Sequence, residues 1–289
     1  MNSQRSQLHT AGLVPFTNRG DLDGGALVEY HRWLQASGVD GVFACGTTGE
    51  FIGLGDDERT LVIASAVEVF GPARVIAHVG APTLRQASAL LAAARDVGAT
   101  RFSAITPYFE RAHSEALVAY YARLSEACEG QLDVYHFPDR TGVELTPEAL
   151  AGIVERVPLL GIKVSGLPAE EVLAYQQGPG FEVFTGNDAS YADCVRGGAA
   201  GGISGLSSAF PEVFVSMRDA LAAGDEEAVA EAQAAIDDIV RVVQGANFAL
   251  VKKALHLRGI PAGPVRVALD EPTDAQVRGL RDLIARVAR

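Results

Sequence analysis

The sequence predicts an α/β fold, a closed (β/α)8 TIM barrel, and three observations carry that expectation. Eight short segments rich in Val, Ile, Phe and Ala alternate with helical patterns, at the roughly 25-residue interval of successive βα units. Many of these segments end in Gly or Pro, as a strand does where it gives way to a loop. The GxGxxG string that a doubly wound dinucleotide-binding sheet carries after its first strand is missing. Eight units favour closure over an open sheet, and 289 residues are an ordinary length for one barrel.

Strands are expected at 12–17, 39–46, 74–80, 101–107, 133–138, 159–165, 181–187 and 200–206. The second and third end on Gly46 and Gly80, the fourth and fifth on Pro107 and Pro138. The helices between them are expected at 25–37, 57–70, 83–97, 114–128, 146–157, 169–177, 190–197 and 211–223. Thr83, Ser114 and Thr146 supply helix-start chemistry. After the eighth unit the pattern becomes purely helical, at 225–244, 248–257 and 273–288, interrupted by the linker Arg258-Gly259-Ile260-Pro261-Ala262-Gly263-Pro264. Residues 1–224 are therefore assigned to the barrel, and 225–289 to a helical extension packed on it, too short to hold a core of its own.

Composition narrows the function. A net charge of −12, a pI of about 4.9 and no cluster of Lys or Arg argue against nucleic acid and anionic membranes as partners. Apolar stretches are broken well before the ~18 positions a membrane span needs. The N-terminal residues 1–10 are polar, unlike a secretory signal. Cys45, Cys128 and Cys194 are far apart and form no CxxC pair, which fits a reducing cytoplasm and gives no support for zinc or disulfides. His9, His31, His78, His113, His136 and His256 lack metal-ligand spacing and are assigned mostly to surface or supporting positions. Neither a metal nor a cofactor is expected.

Three strings stand out: Gly46-Thr47-Thr48-Gly49-Glu50, Tyr135-His136-Phe137-Pro138 and Gly161-Ile162-Lys163. Lysine is rarely buried without a chemical reason. Strand alternation puts Leu160, Ile162 and Val164 on one face and Gly161, Lys163 and Ser165 on the other. An amine emerging from a core strand, with Gly161 beside it to leave room, suggests a Schiff-base lysine. The alternative is a strand-end lysine that snorkels to water. In a (β/α)8 barrel the three strings end strands two, five and six and converge at the C-terminal mouth, where barrel chemistry sits. The plainer readings are a tight turn at Gly46–Gly49, a core tyrosine at Tyr135 and an ordinary turn at Asn187-Asp188.

GTTGE (46–50), TPY (106–108), YHFP followed by RTG (135–142), GIK (161–163), TGND (185–188) and GGIS (201–204) follow one another along the barrel. In these strings the chain resembles the dihydrodipicolinate synthase/N-acetylneuraminate lyase family of class I pyruvate aldolases. The resemblance implies that Lys163 forms a Schiff base with pyruvate or another 2-keto acid. It implies that Tyr135 shuttles protons and that Thr47 relays them. The Gly46 loop, through Thr47 and Thr48, holds the keto-acid carboxylate, and Gly186 and Ile203 line its pocket. Arg140 binds the distal carboxylate of an aldehyde partner. A homotetramer is implied, with the Tyr108-Phe109 segment at a subunit interface.

The departures concern the substrate. Phe109 stands where the family's synthases commonly place a relay tyrosine, His136 where they place Asn, and Phe51 where they place Ser. The region 56–59 lacks the histidines of lysine-inhibited synthases, so feedback inhibition by lysine is not expected. The function expected is a carbon–carbon lyase using or releasing pyruvate, with a 2-keto-3-deoxy sugar-acid aldolase placed ahead of a 4-hydroxy-tetrahydrodipicolinate synthase because of Phe109. A keto-deoxy sugar-acid dehydratase on the same site is a third reading, and a non-catalytic keto-acid-binding homologue a fourth.

Overall fold

Parallel neighbours cannot be joined by a tight hairpin; each needs a crossover, and a helix supplies it. In the computed structural model, which describes residues 5–245 and 247–287, eight such strands occur. They are β1 (Gln7–Ala11), β2 (Gly41–Ala44), β3 (Val75–His78), β4 (Arg101–Ile105), β5 (Leu132–His136), β6 (Gly161–Val164), β7 (Glu182–Thr185) and β8 (Gly201–Ser204). They pair in chain order, and β8 returns to β1 through Gln7↔Gly201 and His9↔Ile203, closing a parallel barrel. Around it lie α1 (Gly24–Ala36), α2 (Asp56–Phe70), α3 (Leu84–Asp96), α4 (Ser114–Ala127), a one-turn α5 (Pro138–Thr141), α6 (Pro147–Val154), α7 (Ala169–Leu173), α8 (Tyr191–Arg196) and α9 (Pro211–Ala223). The (β/α)8 expectation holds.

Local chemistry sets where the helices start. Asp23, Thr83 and Thr146 each accept an N–H of the first turn, from Ala26 at 3.0 Å, Gln86 at 3.3 Å and Ala149 at 3.2 Å. Such a cap contributes about 1 kcal/mol. Ser114 is the first residue inside its helix, and His113 occupies the cap position.

The first strand is displaced from its expected place. The run 12–17 is apolar and buried but forms the loop after β1, while the strand is the polar stretch Gln7–Ala11. The reason lies in the barrel floor, which is an ionic layer. Arg101 binds both oxygens of Asp133, at 2.7 and 2.9 Å, and reaches Glu182 at 2.7 Å. Gln7 donates to Glu182 at 2.8 Å, and His9 bonds Gln7 at 3.0 Å. The side chains that made this strand look like a tail are its floor contacts. The run 12–17 is buried under other elements: Leu13 N–H donates to Tyr30 OH at 3.2 Å and Phe16 N–H to Ala262 O at 3.1 Å.

The surface part of the histidine assignment also needs correction. His9, His31, His78 and His136 are buried, and burial pushes each imidazole below its ordinary pKa, to about 3 for His9 and about 4 for His31 and His136. They are neutral: His9, His31 and His78 hydrogen-bond to Gln7, Ser65 and Cys45, while His136 packs against the Tyr175 ring.

Three helices follow α9: α10 (Glu226–Val242), α11 (Phe248–Leu257) and α12 (Asp274–Val287). In α10 the buried residues Val229, Ala232, Ile236 and Ile239 recur at alternating steps of three and four, one helical stripe. It packs on α9, and α12 packs on α10 and α11. The expected end of the last helix at Ala288, and residues 1–4 of the polar N-terminal stretch, lie outside the described residues. Among the described residues no helix is long and apolar enough to cross a membrane.

Candidate active site

Lys163 lies on β6 in register with Tyr135 on β5, so the two side chains share the barrel interior. Lys163 is 4% exposed. Its Nζ sits 4.3 Å from the centre of the Tyr135 ring and 4.5 Å from that of Phe43. Burial disfavours the ammonium and brings the amine down to about 7, although the Asp188 carboxyl opposes the shift. Asp188 itself is pushed up to about 6 by burial, with hydrogen bonds from Ser204 and the Leu206 N–H holding it down. Near neutrality this amine is an available nucleophile.

Tyr135 meets Thr47 at 3.0 Å, hydroxyl to hydroxyl, bridging the ends of β5 and β2. Burial raises the Tyr135 phenol above its ordinary range, while the bonds from Thr47 and Ser165 work against the rise. His78 underlies the pair: its ring is 5.8 Å from those of Phe43 and Tyr135, its Nδ1 bonds Cys45 O at 2.8 Å and its Nε2 accepts the Ile105 N–H at 3.2 Å. This aromatic layer fixes the tyrosine from below.

The turn after β2 is closed by Glu50 N–H to Thr47 O at 3.0 Å and Phe51 N–H to Gly46 O at 3.4 Å. Those bonds use carbonyls, so the turn itself does not consume the N–H groups of Thr47 and Thr48. Such a loop can receive a carboxylate without a cationic clamp.

A cavity of about 260 Å³ opens above the lysine. Of the residues expected from sequence, Lys163, Tyr135, Thr47, Thr48, Arg140, Gly186 and Ile203 line it. Gly46 does not; it lies under the loop against the Phe43 ring, where a Cβ would come within 2.8 Å of a ring carbon. Phe109 does not either: it is 92% exposed, with φ at +80°, on the outer surface. Gly161 was expected to make room for the lysine, and the structure gives that part to another glycine. A Cβ on Gly161 would collide with the Glu182 backbone of β7, whereas one on Gly186 would strike Ser165 Oγ and come within 3.0 Å of Lys163 Cε.

Other lining residues escaped the sequence reading. Ser165 was legible as the next inward position after Lys163, and Asp188 lay inside the TGND string. Val240, Gly245 and Phe248 also line the cavity. They come from α10, α11 and the turn between them, and no local pattern announces that this segment reaches over the mouth. Arg140 is exposed, with its guanidinium 5.9 Å from the Phe137 ring centre. It borders both this cavity and a neighbouring one of about 450 Å³ walled by Phe51, Ile52, Ile105, Tyr108 and Val267.

A near-neutral amine buried at the C-terminal mouth of a (β/α)8 barrel, with a tyrosine–threonine hydroxyl pair beside it, is the arrangement of a class I aldolase-type lyase. A model of the dihydrodipicolinate synthetase family matches residues 4–286, and the chain belongs to that family. It is 32% identical over 282 residues to a 4-hydroxy-tetrahydrodipicolinate synthase of Methanoculleus marisnigri, covering 94% of this chain and 96% of that one. It is 35% identical over 266 residues to an uncharacterized DapA-like lyase of Halobacterium salinarum, covering 89% and 88%. Among solved structures it is similar to the chloride-inhibited dihydrodipicolinate synthase of Acinetobacter baumannii complexed with pyruvate, at 27% identity and TM-score 0.90 over 98% of this chain and 99% of that one. The sialic acid aldolase of Ruminococcus gnavus shares the fold, with TM-score 0.91 at 22% identity over 98% and 97%.

Proposed function

We propose that the protein forms a Schiff base between Lys163 and a 2-keto acid, and that it cleaves a 2-keto-3-deoxy sugar acid to pyruvate and an aldehyde or runs the reverse condensation. The observation that carries the chemistry is the Lys163 amine, held near pKa 7 within 4.3 Å of the Tyr135 ring. The neutral amine adds to the C2 carbonyl, water leaves, and a protonated imine forms. The C3–C4 bond then breaks, and its electron pair enters the imine to give an enamine. Tyr135 accepts the proton of the C4 hydroxyl as it passes its own phenolic proton to Thr47, 3.0 Å away, so the aldehyde departs and the relayed proton is available for C3. Protonation of the enamine at C3 and hydrolysis of the imine release pyruvate. The loop of Thr47 and Thr48 would hold the carboxylate throughout.

Two features support a polyhydroxy substrate. The cavity carries hydroxyl, amide and carboxyl groups from Ser165, Asn187 and Asp188, partners for sugar hydroxyls. Phe109 offers no hydroxyl to a synthase-type relay. A second reading, 4-hydroxy-tetrahydrodipicolinate synthase, is favoured by Arg140 at the mouth, which suits the distal carboxylate of aspartate semialdehyde, and by the similarity to synthases so named. A dehydratase would use the same imine. A homotetramer in the cytoplasm completes the proposal. Exposed Phe109, in a left-handed conformation beside Tyr108, supports an interface, and three free, buried cysteines suit a reducing compartment.

The test has two parts. Borohydride with pyruvate should label Lys163; label on Lys252 or Lys253, or none, overturns the proposal. Pyruvate is then offered with glyceraldehyde, aspartate semialdehyde and related aldehydes in parallel. Turnover with aspartate semialdehyde alone overturns the sugar-acid reading in favour of the synthase.

A further inference from the structure

Glu50 ends the loop that carries Thr47 and Thr48. Its φ is +54°, a left-handed conformation unfavourable for a residue with a side chain. The surroundings hold it there. Its side chain is fully buried, with Oε1 2.6 Å from the Nζ of Lys252, a side chain only 2% exposed on α11. Oε2 accepts the N–H groups of Arg266 at 2.7 Å and Val267 at 3.0 Å. Lys252 also donates to Pro264 O at 2.8 Å. The segment 264–267 is thereby tied to the loop, and Arg266 extends the tie outward. Its guanidinium binds both oxygens of Glu58, at 2.6 and 2.7 Å, and the carbonyls of Gly20 at 2.7 Å and Gly53 at 2.9 Å. Lys252 and Arg266 lie over the Phe16 ring, at 4.0 and 4.1 Å.

An apolar pair of the same volume would fill this space at lower desolvation cost. An ion pair supplies direction instead: it lets one carboxylate face three donors and so sets where the loop backbone lies. We propose that Glu50 and Lys252 are positioning residues, which hold Thr47 and Thr48 in the geometry that receives a 2-keto-acid carboxylate and make the C-terminal extension part of the binding site. This rests on the Schiff-base reading above. Neither side chain lies in the 260 Å³ cavity above the lysine, and Glu50 borders only the neighbouring 450 Å³ cavity, so their effect on the keto-acid carboxylate passes through the loop.

The experiment measures borohydride trapping of the full chain over a range of pyruvate concentrations. Replacing the pair together, Glu50→Gln with Lys252→Met, leaves no buried charge unpaired. The half-saturating pyruvate concentration should rise about tenfold, the factor that goes with one loosened hydrogen bond to a charged group. The trapping rate at saturation should stay within about twofold, because Lys163 itself is untouched. A role in packing alone predicts a lower melting temperature with unchanged half-saturation in the folded protein, and that result overturns the proposal. If the double variant does not fold, Glu58→Gln decides. It cuts only the part-exposed outer tie, and half-saturation should still rise by about twofold or more; no rise overturns the proposal. Absence of trapping in the wild-type chain overturns the Schiff-base reading and this inference with it. Normal wild-type trapping with unshifted variants overturns this inference alone.

Discussion

Lys163 holds its amine near neutrality because burial disfavours charge more than Asp188 favours it. Removing that carboxyl should therefore lower the amine further. In an Asp188→Asn variant the pH midpoint of pyruvate trapping should move down from about 7, and an unmoved midpoint would show that the amine does not feel this carboxyl. The same shift has a stability consequence. The folded amine titrates at about 7 and a free lysine at about 10.4, so between these values the unfolded chain binds more protons and stability rises with pH. Lys163→Met should flatten that rise, which urea midpoints at neutral and alkaline pH would report. Tyr135→Phe removes one oxygen and little packing, so turnover should fall about 10²–10⁴-fold while the melting temperature hardly moves; near wild-type turnover would contradict the relay. The lysine was legible because a charged side chain inside an apolar strand is conspicuous; the tyrosine was singled out by the motif the chain shares with its family. Gly186 was less legible, since the clash it avoids is with a side chain from the neighbouring strand.

Among the elements, β1 shows what periodicity misses. An apolar run is a good sign of a strand whose side chains meet apolar neighbours, but Gln7 and His9 meet an ionic floor. The run 12–17 is apolar because α1 and the C-terminal linker cover it, not because it pairs in the sheet. The two glycines of the β6–β7 pair should separate fold from function. Gly161→Ala pushes a methyl group into the Glu182 backbone, which cannot swing aside, and should cost about 1–3 kcal/mol in a denaturant titration. Gly186→Ala meets side-chain atoms of Ser165 and Lys163 and not backbone. Its main effect should be on trapping, with a smaller loss of stability. Equal losses of stability in the two variants would contradict this division.

For the whole molecule, assembly is the open expectation. Phe109 at 92% exposure, with Ile52 at 66% and Leu269 at 41%, places large apolar side chains on the outside of the chain. Burial of one such side chain stabilises by about 1.5–3 kcal/mol. Phe109→Asp should therefore shift the sedimentation of a proposed homotetramer toward smaller species. A wild-type chain that sediments as a stable monomer at micromolar concentration would refute the assembly. The C-terminal helices act at the same scale. Val240 and Phe248 border the cavity, so the extension caps the site as well as covering the barrel.

The sequence by itself determined the barrel and singled out the Lys163 amine and the Gly46 loop as candidates, because strand parity and local strings follow from neighbours along the chain; the parts proposed for Tyr135 and Thr47 came from the resemblance to a family. It also carried the departures at Phe51, Phe109 and His136, which can be read one residue at a time. Only the tertiary structure decided which polar stretch was the first strand, which glycine clears the lysine, and that Asp188 shares its field. It alone brought Glu50 to Lys252, some two hundred positions apart in the chain. Those relations depend on barrel closure and on the return of the C-terminal helices over the mouth, and contacts made between distant segments leave no periodic trace in either segment.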